Sequence, residues 1–386
     1  MTVIYFDQAA SSWPKPDGVA KAMMEAVQQY GANPGRGGHQ LAVRAAQTIS
    51  QTRARLAKLF GIKDPKHIIF FQNATQALNQ AIKGFEWKTG DHVLTTAFEH
   101  NSVRRPLVYL RDRYGVKLTF IEPDHNGHID LDQVSQALTP RTKLVVATHV
   151  SNVTGAILPI RQLGRLARQH HIPFLVDASQ SAGILPVDVE EDCIDLLAFP
   201  GHKGLYGPQG TGGLYISPQI DLIPLFHGGT GSHSELEQQP DSRPARYESG
   251  TLNTPGIAGL NVGVGFVLEQ GVEKIWDHEW MLTQYALEQL SQIKGLHLYG
   301  PELGVKRGPV VAFNLEGIDP HEVAMILDQH YGIATRAGLH CTPLAHQALS
   351  TSPVGTVRAS FGFFNRKEEI DQLVQALLEI KAGLLG

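Results

Sequence analysis

Phe174-Leu175-Val176-Asp177-Ala178-Ser179-Gln180, followed later by Phe199-Pro200-Gly201-His202-Lys203-Gly204-Leu205-Tyr206-Gly207-Pro208, decides how this chain folds. The first stretch is a short apolar run that ends in a carboxylate. The second runs from apolar residues into a glycine-rich turn holding a lysine. Short apolar runs that alternate with longer amphipathic stretches signal βαβ units and a largely parallel sheet. In open sheets of this kind ligands collect outside the carboxyl ends of the strands, so Asp177 and Lys203 carry more weight than the strands themselves. A lysine amine can condense with the aldehyde of pyridoxal 5'-phosphate (PLP) as a Schiff base. A carboxylate against the pyridine nitrogen keeps it protonated and makes the ring an electron sink.

Working outward, the strands read from the pattern are Ile68 to Phe71, His92 to Thr96, Lys143 to His149, Phe174 to Asp177, Ile194 to Phe199 and Gly213 to Ile216. Helical segments lie between them. In Leu41 to Phe60, residues Leu41, Ala45, Ile49, Leu56, Leu59 and Phe60 share one side of a helical wheel, and Gly61 supplies the stop. From about Asn261 the pattern changes to long helices with fewer strands, ending in Lys367 to Ile380. At 386 residues the chain exceeds the usual size of a single core. The expected division is a large domain over 15–260 and a smaller α+β domain from 1–14 with 261–386. The polar stretch from Gly228 to Arg246 reads as a mobile surface loop.

Composition narrows the function. A net charge of -4 with 18% charged residues gives no basic field for nucleic acid, so a small metabolite is the expected partner. No apolar stretch reaches the length of a membrane span, and the first residues lack a signal-peptide pattern, so a cytoplasmic protein is expected. Two cysteines, Cys193 and Cys341, make neither a disulfide framework nor a cysteine-based metal cage. Cys193 reads as a small core residue in a strand. The 18 histidines raise a metal-binding alternative, but His125 with His128, and His170 with His171, lack an evident third ligand, so no metal is expected.

The other strand ends carry side chains of the same kind: Asn73-Ala74-Thr75, Glu99-His100-Asn101, Ser151-Asn152-Val153 and Asp177-Ala178-Ser179-Gln180. Each has an ordinary use as a cap, turn or loop residue. Their joint placement is what points to a site. Thr75, at a helix start, suits phosphate binding through backbone N–H groups and the helix dipole.

With Tyr5-Phe6-Asp7-Gln8-Ala9-Ala10 at the start and Val357-Arg358-Ala359-Ser360-Phe361 near the end, the chain resembles fold-type I, class V aminotransferase-like proteins over almost its whole length. It is most similar to the cysteine desulfurase and selenocysteine lyase family. The resemblance implies Lys203 as the Schiff-base lysine, Asp177 at the pyridine nitrogen and His100 stacked over PLP. It places Gln180 on the phenolic oxygen and Asn152 beside cofactor and substrate. Thr75 and His202 would bind phosphate, with Thr251 reaching across from the partner subunit of a homodimer. Arg358 would clamp the substrate carboxylate as a bidentate fork. Arg36 and His39, in Arg36-Gly37-Gly38-His39, resemble the family's early active-site loop and would face substrate.

Thr335-Arg336-Ala337-Gly338-Leu339-His340-Cys341 resembles the short-loop branch, where a comparatively sheltered cysteine takes sulfur and hands it to an acceptor protein. Cys341 would attack the sulfur of L-cysteine and become a persulfide, leaving L-alanine. A protonated His100 would assist the leaving group. Pro200 and Ala74 stand where many members carry hydroxyl residues, and Gly204 looks like an insertion after the lysine. The alternatives on the same fold are a C–S lyase, a selenocysteine lyase and an aminotransferase.

Overall fold

The computed structural model describes residues 3–35, 37–124, 126, 128–232 and 235–385. In chain order the strands begin with β1 Ile4–Tyr5, β2 Ile68–Phe71, β3 His92–Thr96, β4 Lys117–Ile121, β5 Thr142–Thr148, β6 Phe174–Asp177, β7 Leu196–Pro200 and β8 Gly212–Ile216. They continue with β9 Leu296–Tyr299, β10 Val310–Leu315, β11 Ile333–Ala334, β12 Arg336–Gly338 and β13 Thr356–Ser360. The helices are α1 Val19–Tyr30, α2 Gln40–Leu59, α3 Ala74–Lys83, α4 Asn101–Tyr114, α5 Leu131–Ala137 and α6 Ile160–Gln169. Then come α7 Thr254–Gln270, α8 Val272–Leu290, α9 Pro320–Tyr331, α10 Pro343–Ala348 and α11 Lys367–Leu385.

The larger sheet has seven strands in the order β2-β8-β7-β6-β5-β3-β4, parallel except at β8, which runs against both β7 and β2. Apolar layers cover both faces. Val145, Ala147, Phe174 and Val176 pack with α2 and α6 residues such as Ile49, Leu56 and Leu163, while Leu144, Val146 and Leu175 pack with Leu78, Val103 and Leu107 of α3 and α4. Two buried faces are why these strands read as continuous apolar runs. The smaller sheet is antiparallel, in the order β12-β13-β10-β9, with its own core of Phe313, Val357, Leu287 and Leu373. The short β1 joins β11, and Asp7 bridges Ser360 of β13, so the N-terminal segment lies between the two sheets.

Several expectations shift in instructive ways. The strand expected from Ile194 starts at Leu196, because Cys193 has φ 58 and Ile194 N bonds Val189 O in a turn. Cys193 is buried as expected but sits in that turn, before the strand. β4 was not anticipated; it is an edge strand, and most of its residues stay partly exposed. On α2 the buried stripe runs through Ala42, Ala45, Ile49, Thr52, Arg53 and Leu56, while Leu41 is exposed. Residue 260 falls inside α7, which packs along α1 and α2. The end of the polar stretch 228–246 is anchored, since Arg243 Nη1 donates to the carbonyls of Ile216 and Ser217, both at 2.9 Å.

Arg53 and Glu248 tie α2 to the segment 248–251. Arg53 Nη1 and Nη2 donate to the two carboxylate oxygens of Glu248 at 2.8 and 3.0 Å, and Phe70 N donates to Oε1 at 2.7 Å. Both side chains are buried, so each offsets the desolvation of the other. Glu248→Ala is therefore expected to cost about 3–5 kcal/mol of stability by stranding a buried guanidinium. Urea unfolding of the two proteins checks this.

Candidate active site

The carboxyl ends of β2, β3, β5, β6 and β7 surround a cavity of about 220 Å³, closed on the far side by Arg336, His340 and Arg358 from the smaller sheet and its loop. Thr75, His100, Asn152, Asp177, Gln180, His202, Lys203 and Arg358 all line it. Sequence order scattered these residues; the parallel strands bring their ends together. Ala74 and Pro200 line it too, so the positions expected to lack a hydroxyl do face the cavity.

Lys203 leaves β7 in a turn packed backbone-to-backbone on the loop after Asp177. A Cβ at Gly204 would stand 2.5 Å from the Ala182 carbonyl oxygen, and one at Gly183 (φ 83) would stand 2.3 Å from that of Gly204. Glycine at both positions allows the close approach. Burial pushes the Lys203 amine down to about 8; Asp177 opposes the shift, while Arg358 and Arg336 add to it. Asp177 itself is buried, and among the described residues its carboxylate takes hydrogen bonds only from Ser179, N at 2.9 Å and Oγ at 2.5 Å.

His100 caps α4 by accepting at Nδ1 from Ser102 N at 3.0 Å. A ring nitrogen that accepts from an amide carries no proton, so the neutral ring carries its proton on Nε2. Burial, opposed by Asp177, lowers the imidazole to about 4, which favours the neutral ring over the expected protonated acid. The Ser102 hydroxyl lies 2.9 Å from His100 Nδ1 and 2.8 Å from Thr75 Oγ1, joining two expected site residues. Ser102 was not singled out, although a serine two residues after a helix-capping histidine was there to be read. Glu99, beneath it, accepts at Oε1 from Thr96 Oγ1 and Thr148 N, and burial pushes its carboxyl up to about 8.

The smaller sheet supplies the opposite wall. Arg358 is 1% exposed and already engaged: Nη2 donates to Asp7 Oδ1 at 2.7 Å and Nη1 to the Asn152 carbonyl at 3.0 Å, while Nε has no partner. Its fork is thus occupied within the chain, where the resemblance implied a fork open to substrate. Asn152 Nδ2 donates to the His340 carbonyl at 2.7 Å, and Gln180 Nε2 to Ala9 O at 3.0 Å. His202 Nδ1 is buried without a partner, and burial lowers that ring to about 4.

Cys341 is exposed, in contrast to the sheltered position implied by the resemblance. His340 and Cys341 both adopt left-handed backbone, φ 47 and 62, which side-chain-bearing residues hold only when their surroundings demand it. Here Asn101 N donates to the Cys341 carbonyl at 2.8 Å and Thr342 N to Leu339 O at 2.9 Å. Arg336 Nη2 lies 3.8 Å from Cys341 Sγ, a contact that no single motif position revealed.

Three expected residues are elsewhere or undescribed. Thr251 is exposed, accepts from Asn33 Nδ2 at 3.2 Å and lines a separate cavity. His39 is exposed and caps α2, accepting from Ala42 N at 3.3 Å. Arg36 lies outside the described residues. Among the described residues no three His, Cys, Asp or Glu side chains cluster as a metal site, and no helix is long and apolar enough to cross a membrane.

A family model described as aminotransferase class-V matches residues 4–373. A probable cysteine desulfurase of Methanothermobacter thermautotrophicus is 36% identical over 388 residues, covering 99% of this chain and 95% of that one. The apo structure of a cysteine desulfurase from Thermococcus onnurineus NA1 superposes with a TM-score of 0.93 at 36% identity, covering 99% and 95%. The S-sulfonic acid form of the Escherichia coli cysteine desulfurase CsdA gives 0.89 at 26%, covering 98% and 95%. The chain therefore belongs to the class-V aminotransferase family, among the cysteine desulfurases that it matches over nearly its whole length.

Proposed function

We propose that the chain is a PLP-dependent cysteine desulfurase that converts L-cysteine to L-alanine and takes the sulfur as a persulfide on Cys341. The observation that carries this reading is the exposed Cys341 thiol beside Arg336, one residue from the cavity-lining His340.

The cavity residues fit the cofactor. Asp177 is a buried carboxylate with no salt-bridge partner among the described residues, His202 Nδ1 is an orphaned buried polar atom, and Thr75 and Ser102 present hydroxyls at helix starts. In this reading Asp177 holds the pyridine nitrogen, His202 and Thr75 the phosphate, Gln180 the phenolic oxygen and Lys203 the aldehyde carbon. When bound, PLP supplies a carbonyl that captures the substrate nitrogen and a ring that accepts the electron pair released at Cα.

Lys203, freed by the substrate amine, takes the Cα proton, for which an amine near 8 is suited. Arg336, which has no carboxylate partner among the described residues, places positive charge beside the Cys341 sulfur and, with Arg358, along the path of the substrate carboxylate. The Cys341 thiolate attacks the substrate sulfur; the S–S bond forms as the C–S bond breaks, and the bonding pair stays with the carbon skeleton. Cβ takes up the proton that the substrate thiol gives up, and Lys203 returns the proton to Cα, so that alanine leaves. His100, neutral with its proton on Nε2, serves as a hydrogen-bond donor in the cavity. Thr251, exposed and absent from the lining of its own chain's cavity, is read as serving the partner subunit of a homodimer. The exposed thiol leaves the persulfide open to an acceptor protein in the cytoplasm.

Cys341→Ala is expected to lower alanine formation from cysteine by on the order of 10²-fold or more and to abolish the persulfide, while Lys203 still binds PLP. Single-turnover product analysis with mass spectrometry reads both; pyruvate with sulfide, unchanged by the substitution, overturns the reading in favour of a lyase.

Only the neutral amine of Lys203 attacks an aldehyde. Because burial lowers its pKa from 10.5 to about 8, capture of PLP by the apoprotein is expected to speed up as pH rises through about 8 and then level off. Stopped-flow absorbance between pH 6 and 10 tests this, and a rate still rising near pH 10 contradicts it.

A further inference from the structure

Lys15 lies outside the cavity wall, on the N-terminal segment between Pro14 and Pro16, yet its ammonium is directed at the turn that carries Lys203. Nζ donates to the His202 carbonyl at 2.9 Å and to Ser12 Oγ at 2.7 Å. Having accepted that bond, Ser12 Oγ donates to the Lys203 carbonyl at 2.9 Å. Ser12 N and the Ser11 hydroxyl add bonds to the His202 carbonyl at 2.9 and 3.2 Å. The carbonyls of His202 and Lys203 belong to the two peptide planes on either side of the Lys203 α-carbon. Fixing both planes fixes φ and ψ of Lys203, and with them the direction in which its side chain leaves the backbone.

Neutral donors alone would suffice to tie down a turn, and Ser11 and Ser12 already do so. Lys15 is half-buried and has no carboxylate partner among the described residues; burial lowers its amine to about 8, and its charge is felt by His202. A partly desolvated ammonium without a counter-ion is unfavourable, so its presence here calls for a use. Its hydrogen bond to Ser12 polarises that hydroxyl and strengthens the next bond in the relay.

We propose that Lys15 is a positioning residue: through the His202 carbonyl directly and the Lys203 carbonyl by way of Ser12, it aims the Lys203 amine into the cavity and adds positive potential behind His202. This rests on the reading of Lys203 as the PLP-binding amine.

The test follows PLP fixed on Lys203 by borohydride, quantified by peptide mass spectrometry over time. It is run on wild type, Lys15→Met, Lys15→Arg, Ser12→Ala and the Ser12→Ala/Lys15→Met double variant, together with kcat, KM for cysteine and thermal unfolding. Lys15→Met is expected to slow both labelling and kcat by about 10-fold, the scale of one charge-assisted hydrogen bond, with KM within about twofold of wild type. Lys15→Arg should recover most of the loss. The double variant should lose less than the product of the two single losses, because both act on one relay. Labelling of Lys15→Met at the wild-type rate overturns the inference, as does a loss that only tracks the unfolded fraction. A wild type that takes no PLP on Lys203 removes the cofactor reading and the inference together, so the two failures are distinguishable.

Discussion

The buried guanidinium of Arg358 is the group on which the cavity depends. It stands on β13 of the smaller sheet, donates to Asp7 of the N-terminal segment and to the Asn152 carbonyl after β5 of the larger sheet. Three regions distant in sequence therefore meet at one side chain. A guanidinium at 1% exposure is tolerated only when its donors find acceptors, so the desolvation cost of Arg358 becomes a constraint on how the two sheets approach. Asn152 extends the clasp, accepting from Thr342 Oγ1 at 2.6 Å and donating to the His340 carbonyl. The loop that presents Cys341 is thus fastened to the same strand end that faces Lys203.

Within that enclosure, burial sets the protonation states more than neighbouring charge does. Desolvation is the largest influence on Lys203, His100, His202 and Glu99, and it favours the neutral form of each. Arg336 and Arg358 stand over these groups, and Asp177 and Asp7 are the acidic side chains closest to them in the chain of contacts. Imidazoles held neutral by burial and a lysine amine lowered to about 8, beneath the guanidinium groups of Arg336 and Arg358, suit an anionic cofactor and an amino-acid carboxylate, and bring the lysine within reach of acting as nucleophile or base. Arg336 belongs to both halves of the chemistry, lining the cavity while contacting the Cys341 sulfur.

Much of this was legible beforehand because it depends on local pattern. The strands β2, β3, β5 and β6 were read to within a residue or so, since two buried faces leave uninterrupted apolar runs. β4 was not, because an edge strand keeps a mixed, partly exposed pattern. The start of β7 was misplaced because an apolar run does not reveal that Cys193 turns the chain with positive φ. Leu41 was assigned to the buried stripe of α2 on periodicity alone, but the capping of the helix by His39 and its packing on α7 turn Ala42 inward instead.

The residue types at the strand ends, Lys203, Asp177, His100, Thr75, Asn152 and Gln180, were determined by the sequence itself, because period and turn chemistry are local properties that a linear pattern carries. Tertiary structure alone decided that the fork of Arg358 is shared with Asp7 and Asn152, that Ser102 joins His100 to Thr75, that Cys341 is exposed beside Arg336, and that Thr251 lies away from the cavity of its own chain. Each of these is a matter of which groups meet across long sequence separations and how much water they lose in meeting, and desolvation has no signature in the order of residues.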